Sequence, residues 1–231
     1  MLPADVSILS AGAVGPGLKK VTELFQQDTR ETVKLTFATA PTIVERLGAD
    51  SQFDIVIAPP IVLDDAARQG KISPERRVLL GRIGAGVMVR AQTPQPSIAT
   101  VEQLKKSLLD ARSLVFNRAS TGTYLEKLFQ RLGIGAELER KSIRYPDFAA
   151  VLDHMSRGAN GEIGFGATTV IVENTQRGIE FVGPLPAEIQ NYTAYEAAVV
   201  QNNAAGAAAR EFIEYLNSPL ARSVLTDAGI L

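Results

Sequence analysis

Short apolar runs alternate along the chain with segments whose apolar residues recur at helical spacing. Residues 6–9, 33–37 and 54–58 are apolar runs of the length expected for strands, and segments with helical spacing at 18–27 and 43–48 separate them. This alternation of strand and helix predicts a parallel sheet covered by helices, which is an α/β fold.

The remainder of the chain continues the α/β pattern. Further strands are predicted at residues 114–116, 162–165, 179–182 and 193–200. Further helices are predicted at residues 66–70, 101–110, 124–132, 148–157 and 206–216, and after Pro219. Residues 78–90 are extended and apolar but broken by three glycines. Asp64 and Asp65 are interpreted as acids at a helix start, and Ser97 and Thr100 as candidate caps.

The composition excludes several kinds of chemistry. The 231 residues include 24 Lys and Arg, 25 Asp and Glu, one His and no Cys, for a formal net charge of −1 at pH 7. We expect no nucleic-acid partner, because binding a phosphate backbone requires clustered positive charge. The lack of cysteine excludes a disulfide framework, a thiol nucleophile and a cysteine zinc site. A single histidine excludes a multi-histidine metal site within one chain. We expect no metal and no cofactor.

The sequence predicts no membrane insertion, because no stretch approaches about 18 uninterrupted apolar residues. The chain passes from Met1 into its first predicted strand at residue 6, without a basic leader or a long apolar core, so no signal peptide is predicted. Two interpretations stay open: a cytosolic protein, or a protein whose leader has been removed. The absence of cysteine fits both.

Turns rich in small and hydroxyl residues precede three of the predicted helices, at residues 10–15, 39–42 and 119–123. The start of a helix has unpaired N–H groups and the positive end of the helix dipole, so such turns suit an anion. The alternative is that these residues only cap helices and form turns. Three such turns in one α/β chain favour a ligand site at the carboxyl ends of the strands.

The glycines of the first turn do not form a nucleotide-binding motif. Residues 12–17 have the spacing G-x-x-G-x-G, which differs from the dinucleotide pattern G-x-G-x-x-G. Leu18 occupies the position at which a P-loop has lysine. Both kinds of nucleotide site are therefore excluded.

Arg118 is the preferred candidate among the charged residues, because it lies in the third turn. A guanidinium group matches a carboxylate or a tetrahedral oxyanion. Arg82 and Arg90 flank the glycine-broken segment, and a surface ion pair is the alternative for each of the three arginines.

His154 has no orienting partner in the sequence, so packing or solvent exposure is preferred over catalysis. Tyr192 and Tyr195 lie near the predicted strand at 193–200, where they either line a pocket or pack in the interior.

Several of these segments, taken in order, resemble the molybdate-type periplasmic substrate-binding proteins of ABC transporters. The resemblance is carried by residues 8–13, 37–42, 53–58, 119–124, 161–165, 212–216 and 228–230, and it covers nearly the whole chain. It implies the type II periplasmic-binding-protein fold, with two α/β lobes joined by two crossings. The lobes are expected at 1–84 with 193–231, and at 85–192. It also implies that hydroxyls and amides capture a small anion between the lobes, which close about a hinge. The partner implied is an ABC transporter permease.

The chain departs from the molybdate pattern at the ligand positions. Where those proteins present a serine from each of the first two turns, this chain has Gly12-Ala13 and Ala40. Arg118 has no counterpart in that pattern, so the loss of neutral donors and the gain of a guanidinium favour a carboxylate ligand over molybdate. The expected ligand-binding residues are Ser10, Gly12, Ala13, Thr39, Ala40, Thr42, Arg118, Ser120, Thr121, Gly122, Thr123 and Thr168.

The preferred function is that of a monomeric periplasmic solute-binding protein that performs no covalent chemistry. The alternative is an isomerase of a small unsaturated polycarboxylate on the same scaffold. His154, Glu162 or a tyrosine would then be the acid–base group, but the sequence shows no pair held by a third residue. A ligand sensor severed from a DNA-binding domain is disfavoured, because no helix-turn-helix candidate precedes residue 6.

Overall fold

The computed structural model of the protein describes residues 5–48, 52–201 and 205–231, and of residues 74–76 only the backbone. The strands are β1 (Asp5–Ala11), β2 (Thr32–Ala38), β3 (Ile55–Ala58), β4 (Ile72–Arg90), β5 (Ser113–Asn117), β6 (Ser142–Tyr145), β7 (Glu162–Ala167), β8 (Ile179–Pro184) and β9 (Tyr192–Val200). The helices are α1 (Gly15–Thr29), α2 (Ala40–Arg46), α3 (Pro60–Arg68), α4 (Val101–Asp110), α5 (Ser120–Arg131), α6 (Gly135–Glu139), α7 (Phe148–Arg157), α8 (Thr168–Glu173), α9 (Gly206–Tyr215) and α10 (Pro219–Asp227).

The chain forms two units, and unit one consists of Met1–Ile83 with Ala194–Leu231. Its strand order is β2–β1–β3–β9, with the first part of β4 beside β9. β1 runs parallel to β2 and β3, and β9 runs antiparallel to β3. The carboxyl ends of the three parallel strands therefore share one edge of the sheet, where Ala11 pairs with Ala38.

Unit two consists of Gly84–Thr193. Its strand order is β8–β4–β7–β5–β6, in which β5 runs parallel to both β6 and β7. The second part of β4 runs antiparallel to β7 and β8. The carboxyl ends of β5, β6 and β7 again share one edge, where Asn117 pairs with Tyr145.

The apolar periods of the sequence account for the core of unit one. Val21 and Phe25, one helical turn apart on α1, are fully buried. The ring of Phe25 meets Phe212 of α9 edge to face, with ring centroids 5.0 Å apart. α1 also packs closely on the C-terminal residues, because a Cβ at Gly17 would lie 3.0 Å from Ile230.

The sheet of unit two is covered on both faces, which explains why β5 is buried along its whole length. Leu114 and Phe116 point into a core formed with α4, α5 and α6. Val115 points to the opposite face and packs with Val151 and Met155 of α7. The alternation of β5 thus supplies two separate cores.

Most of the predicted elements are confirmed, and α4 and α7 have the predicted bounds. The sequence did not predict α6, β6 or α8. These elements contain only four to six residues, which is too short to show a period.

The expectation that residues 78–90 are extended is confirmed, because β4 runs from Ile72 to Arg90 through all three glycines. Gly81 has a φ of 143°, and a Cβ there would lie 2.8 Å from the carbonyl oxygen of Leu231. The backbone of Arg82 pairs with Leu231 in both directions, at 2.7 and 2.9 Å. Gly81 therefore lets the last residue of the chain pair with this strand.

The interpretation of Asp64 and Asp65 as acids at a helix start is wrong, since α3 begins at Pro60 and has no acid in its first turn. Asp64 instead pairs with Arg77 at 2.5 Å. The cap at Thr100 is confirmed, because its Oγ1 accepts a hydrogen bond from the Gln103 amide at 3.2 Å.

Asp54 joins three segments of unit one although its side chain is buried. Oδ2 accepts the Ser7 amide and Oδ1 accepts the Ala205 amide, each at 2.8 Å. We expect Asp54→Ala to lower the free energy of unfolding by about 3 kcal/mol, because two N–H groups lose a charged acceptor. Urea unfolding measures this loss. Asp110→Ala is the control, because it removes an exposed pair with Lys106 and should cost less than about 1 kcal/mol. Equal losses of unfolding free energy in Asp54→Ala and Asp110→Ala would contradict the stabilising role of the buried Asp54 hydrogen bonds.

Candidate functional site

The structure brings the first two predicted turns together at the carboxyl edge of unit one. β1 ends at Ala11 and leads into a 3-10 turn, Gly12–Val14, while β2 ends at Ala38 and leads through Thr39 into α2. Because β1 and β2 are parallel neighbours, the two turns leave adjacent positions of the sheet. Gly12 is exposed, and a Cβ at this position would meet nothing within 4 Å.

Neither turn of unit one is closed by a side-chain cap. Ala11 and Thr39 occupy the N-cap positions without a side-chain cap hydrogen bond. The hydroxyl of Thr39 lies 3.2 Å from that of Thr42, whereas the hydroxyl of Thr100 caps α4. The interpretation of these residues as side-chain caps is therefore not supported, and Ala40 begins α2 without one.

Ser10 and Ala13 are less exposed to solvent than Gly12. The Ser10 side chain is fully buried, and its hydroxyl donates to the carbonyl oxygen of Ala11 at 3.1 Å. Ala13 is half-buried within the 3-10 turn. Thr39 and Thr42, both half-buried, are therefore the hydroxyls of these turns that retain solvent access.

Lys19 and Phe37 also flank these turns, although the sequence did not single them out. Phe37 is the penultimate residue of β2, is 38% exposed, and lies 3.4 Å from where a Cβ of Gly15 would stand. Lys19 Nζ lies 5.8 Å from the centre of the Phe37 ring. The signal that the sequence offered was an aromatic residue near the end of a predicted strand, two positions before Thr39.

The third predicted turn lies at the carboxyl edge of unit two. Ala119 precedes α5 without a side-chain cap, and Ser120 and Thr121 are half-buried at the helix start while Thr123 is exposed. The Ala119 amide donates to Asn117 Oδ1 at 3.2 Å. The N-cap residue of α5 thus offers no side-chain acceptor to the peptide groups of the first turn.

Arg118 extends into solvent beside this uncapped helix. Its amide donates to the carbonyl oxygen of Tyr145 at 2.9 Å, which fixes the backbone, while the side chain is exposed. Within the described residues the structure shows no hydrogen bond or ion pair for its guanidinium. Arg90, by contrast, donates to the carbonyl oxygen of Gly158 at 2.9 Å. Arg118 is therefore a cation available to a ligand.

Gly122 and Thr168 complete the predicted set in unit two. Gly122 is buried, and a Cβ there would lie 1.7 Å from the carbonyl oxygen of Asn117, so only glycine fits. Thr168 is half-buried and begins α8, again without a side-chain cap. Tyr195 is buried and Tyr192 is partly exposed on β9.

The expectation that His154 has no orienting partner is wrong. His154 Nδ1 lies 2.9 Å from the Tyr145 hydroxyl, and Nε2 lies 3.1 Å from Glu162 Oε2. Glu162 is 8% exposed, and its Oε1 accepts the Ser113 hydroxyl at 2.7 Å. These residues come from three strands and a helix, and β6 was not predicted, so their proximity could not be predicted from the sequence.

A cavity of about 490 Å³ in unit two lies apart from the predicted residues. It is lined by α5, α6 and β6, and its arginine, Arg144, pairs with Glu126 at 2.6 Å and with Glu139 at 2.5 Å. Burial lowers the pKa of Arg144, but the two carboxylates outweigh this effect and raise the pKa overall. Because this guanidinium already has two carboxylate partners, the cavity does not suit an anion.

Across residues 5–48, 52–201 and 205–231, no three His, Asp or Glu side chains form a group suited to hold a metal ion. In the same ranges no helix is long and apolar enough to cross a membrane.

The chain matches known proteins over nearly its full length. The sequence model of a family described as bacterial extracellular solute-binding protein matches residues 6–231. An aconitate isomerase from Pseudomonas sp is 28% identical over 235 residues, which are 97% of this chain and 87% of that protein.

Solved structures of anion-binding proteins have a similar fold. The periplasmic molybdate-binding protein of Azotobacter vinelandii has a TM-score of 0.81 at 17% identity, covering 98% of each chain. The sulfate-binding protein SubI from Mycobacterium tuberculosis H37Rv has a TM-score of 0.79 at 14% identity, covering 98% of this chain and 86% of that one. The predicted α/β fold of the type II periplasmic binding proteins is confirmed.

Proposed function

Because this chain belongs to the bacterial extracellular solute-binding protein family, we propose that it captures a small carboxylate anion for import by an ABC transporter. In this proposal the two units are the lobes of the binding protein. The same proposal includes a periplasmic location, a transporter permease as partner and a monomeric state.

One observation carries the proposal: the Arg118 guanidinium, which has no partner among the described residues, stands beside a helix without a side-chain cap at a strand carboxyl end. Arg118 adds a full positive charge to the dipole and the peptide groups of the first turn of α5. In unit one the turns after Ala11 and Thr39 also lack side-chain caps. An anion would supply the acceptors that these helix starts lack.

A carboxylate fits these groups better than molybdate does. The resemblance places serines at positions where this chain has Gly12, Ala13 and Ala40, so hydroxyl donors are missing. A guanidinium offers two parallel N–H groups to the two oxygens of a carboxylate. We therefore place a carboxylate group of the ligand at Arg118.

A thermal-shift screen of small carboxylates and tetrahedral oxyanions tests the proposal. A ligand at 100 times its Kd stabilises the native state by about 2.7 kcal/mol, which raises the melting temperature by several degrees. We expect di- or tricarboxylates to give the largest shifts. Shifts from molybdate or tungstate with none from any carboxylate would contradict the carboxylate assignment.

A second candidate function is isomerisation of a small unsaturated polycarboxylate. The aconitate isomerase relative supports it, as does the hydrogen-bonded set of Tyr145, His154 and Glu162, which resembles the acid–base groups of enzymes. Proton NMR in deuterated water with cis- and trans-aconitate as the tricarboxylate probes tests it. Exchange of carbon-bound hydrogen indicates catalysis, and binding without exchange favours pure capture.

A further inference from the structure

We propose that Tyr192 is a specificity residue of the binding site, and that its hydroxyl binds a second carboxylate of the ligand. This inference deepens the proposed capture of a carboxylate at Arg118 and rests on it. Tyr192 is the first residue of β9 and belongs to unit two. It is 46% exposed, whereas Tyr195 on the same strand is buried, so Tyr192 is within reach of a ligand from solvent.

The hydroxyl end of the Tyr192 ring lies on β4. A Cβ at Gly84 would stand 3.3 Å from Cε1 of this ring. Cε1 is bonded to the ring carbon that carries the hydroxyl, so the outer end of the ring reaches Gly84. The Ala85 amide donates to the carbonyl oxygen of Asn191 at 3.2 Å, and the Gln190 side chain bonds both backbone groups of Ala85, at 2.9 and 3.0 Å. The segment that precedes Tyr192 is therefore fixed to β4.

Gly84 lies at the edge of the sheet where β7 ends. Ala85 pairs with Ala167, the last residue of β7, and the two strands are antiparallel. Gly84 therefore stands opposite Thr168, the residue that follows β7. Since β5 is parallel to β7, the same edge carries Arg118, which follows β5. The outer end of the tyrosine ring thus lies at the edge of the sheet that holds the proposed carboxylate site.

Thr168 lies on the same face of β4 as the Tyr192 ring. A Cβ at Gly86 would stand 3.2 Å from Cγ2 of Thr168. Gly84 and Gly86 are two residues apart on β4, so their side-chain positions point to the same face of the sheet. The methyl group of Thr168 is the branch that meets the strand, which leaves its hydroxyl outside this contact. The hydroxyl-bearing side chains of Thr168 and Tyr192 therefore lie beside neighbouring positions of one strand.

The spacing of these groups along the edge fits a ligand with two carboxylates. β4, β7 and β5 are consecutive strands, and neighbouring strands lie about 4.8 Å apart, so Gly84 and Arg118 stand about 10 Å apart along the edge. With a hydrogen bond of about 2.9 Å at either end, this distance matches the length of succinate to adipate. Molybdate has a single centre and is too short to reach both ends.

The second polar group of the ligand is assigned as a carboxylate because the side chains at this end are hydroxyls. A hydroxyl donates to a carboxylate oxygen, and such a charge-assisted hydrogen bond is roughly twice as strong as a neutral one. The two oxygens of a carboxylate accept from both Thr168 and Tyr192. In this arrangement Arg118 binds the first carboxylate and the two hydroxyls select ligands that carry a second.

Calorimetric titration of the wild-type protein tests the class of ligand. The probes are succinate, glutarate, adipate and tricarballylate, with butyrate as the probe that has one carboxylate. We expect butyrate to bind at least about tenfold more weakly than the tightest polycarboxylate, because the hydrogen bonds to the second charged group are lost. A smaller difference would overturn the second carboxylate site while leaving carboxylate capture standing. If no carboxylate binds at all, the proposed function fails as well.

Tyr192→Phe tests the residue, because it removes the hydroxyl and keeps the ring. We expect the Kd of the tightest polycarboxylate probe to rise about 10- to 150-fold, the range for loss of a hydrogen bond to a charged group. Thr168→Val, which removes the neighbouring hydroxyl, should also raise this Kd. The control is Tyr215→Phe, which removes a hydroxyl that donates to Asp28 at 2.9 Å in unit one and should match the wild type.

A rise in Kd of less than tenfold in Tyr192→Phe, or an equal rise in Tyr215→Phe, would overturn the role of Tyr192. Either result would leave carboxylate capture at Arg118 standing, because the wild-type titrations test that capture separately.

Discussion

Gly122→Ala should destabilise unit two and abolish anion binding. The added methyl group would lie 1.7 Å from the carbonyl oxygen of Asn117 and 3.1 Å from the Phe116 ring. Both neighbours belong to buried β5, so relief requires the β5–α5 turn to move. We expect the free energy of unfolding to fall by about 3 kcal/mol, the upper range for overpacking, and ligand-induced stabilisation to disappear because Arg118 moves with the turn.

Urea unfolding and thermal shift with a bound carboxylate measure the two effects of Gly122→Ala. Gly48→Ala is the matched control, because a Cβ there meets only the Glu45 carbonyl oxygen, at an ordinary 3.5 Å. The control should keep both its stability and its ligand response. If Gly122→Ala behaved like Gly48→Ala, the close approach of α5 to β5 would not be needed for the fold or the site.

Arg118→Ala should weaken carboxylate binding without changing stability. The guanidinium is exposed and has no partner among the described residues, so its loss costs the fold nothing. Loss of a hydrogen bond to a charged group costs about 1.5–3 kcal/mol, which corresponds to an increase in Kd of about 10- to 150-fold. The Kd of Arg118→Lys should fall between those of the wild type and of Arg118→Ala, because lysine keeps the positive charge but lacks the planar guanidinium group.

Calorimetric titration measures these dissociation constants, and Arg140→Ala is the control. Arg140 is an exposed arginine of the same unit, so its removal changes the net charge equally. A long-range charge effect would weaken binding in both variants. An unchanged Kd in Arg118→Ala would remove Arg118 from the site.

The parts of the site that a local pattern determines were predictable from the sequence. A run of apolar residues followed by small and hydroxyl residues and then a helical period located the turns after β1, β2 and β5. Arg118 stood out because it interrupts one of these turns. Ala11 lies beside Ala38 because β1 and β2 are parallel. Since a parallel sheet was predicted, the adjacency of the first two turns could also be predicted.

Features that depend on long-range contacts could not be predicted from the sequence. Ser10 has the residue type of a ligand donor, but its burial and its bond to Ala11 arise from packing of the whole unit. His154 meets Tyr145 and Glu162 only because α7 packs across three strands, one of them too short to predict. The direction of the Thr39 hydroxyl, toward Thr42 and not the helix backbone, is likewise a matter of side-chain geometry.

Calorimetric titration of the wild-type protein with tricarboxylates and with molybdate tests most directly whether its uncapped helix starts and Arg118 bind a carboxylate. We predict saturable binding of a di- or tricarboxylate with a Kd in the micromolar range or below, corresponding to about −8 kcal/mol, and much weaker binding of molybdate. Tight binding of molybdate or tungstate with no heat from any carboxylate would contradict the account.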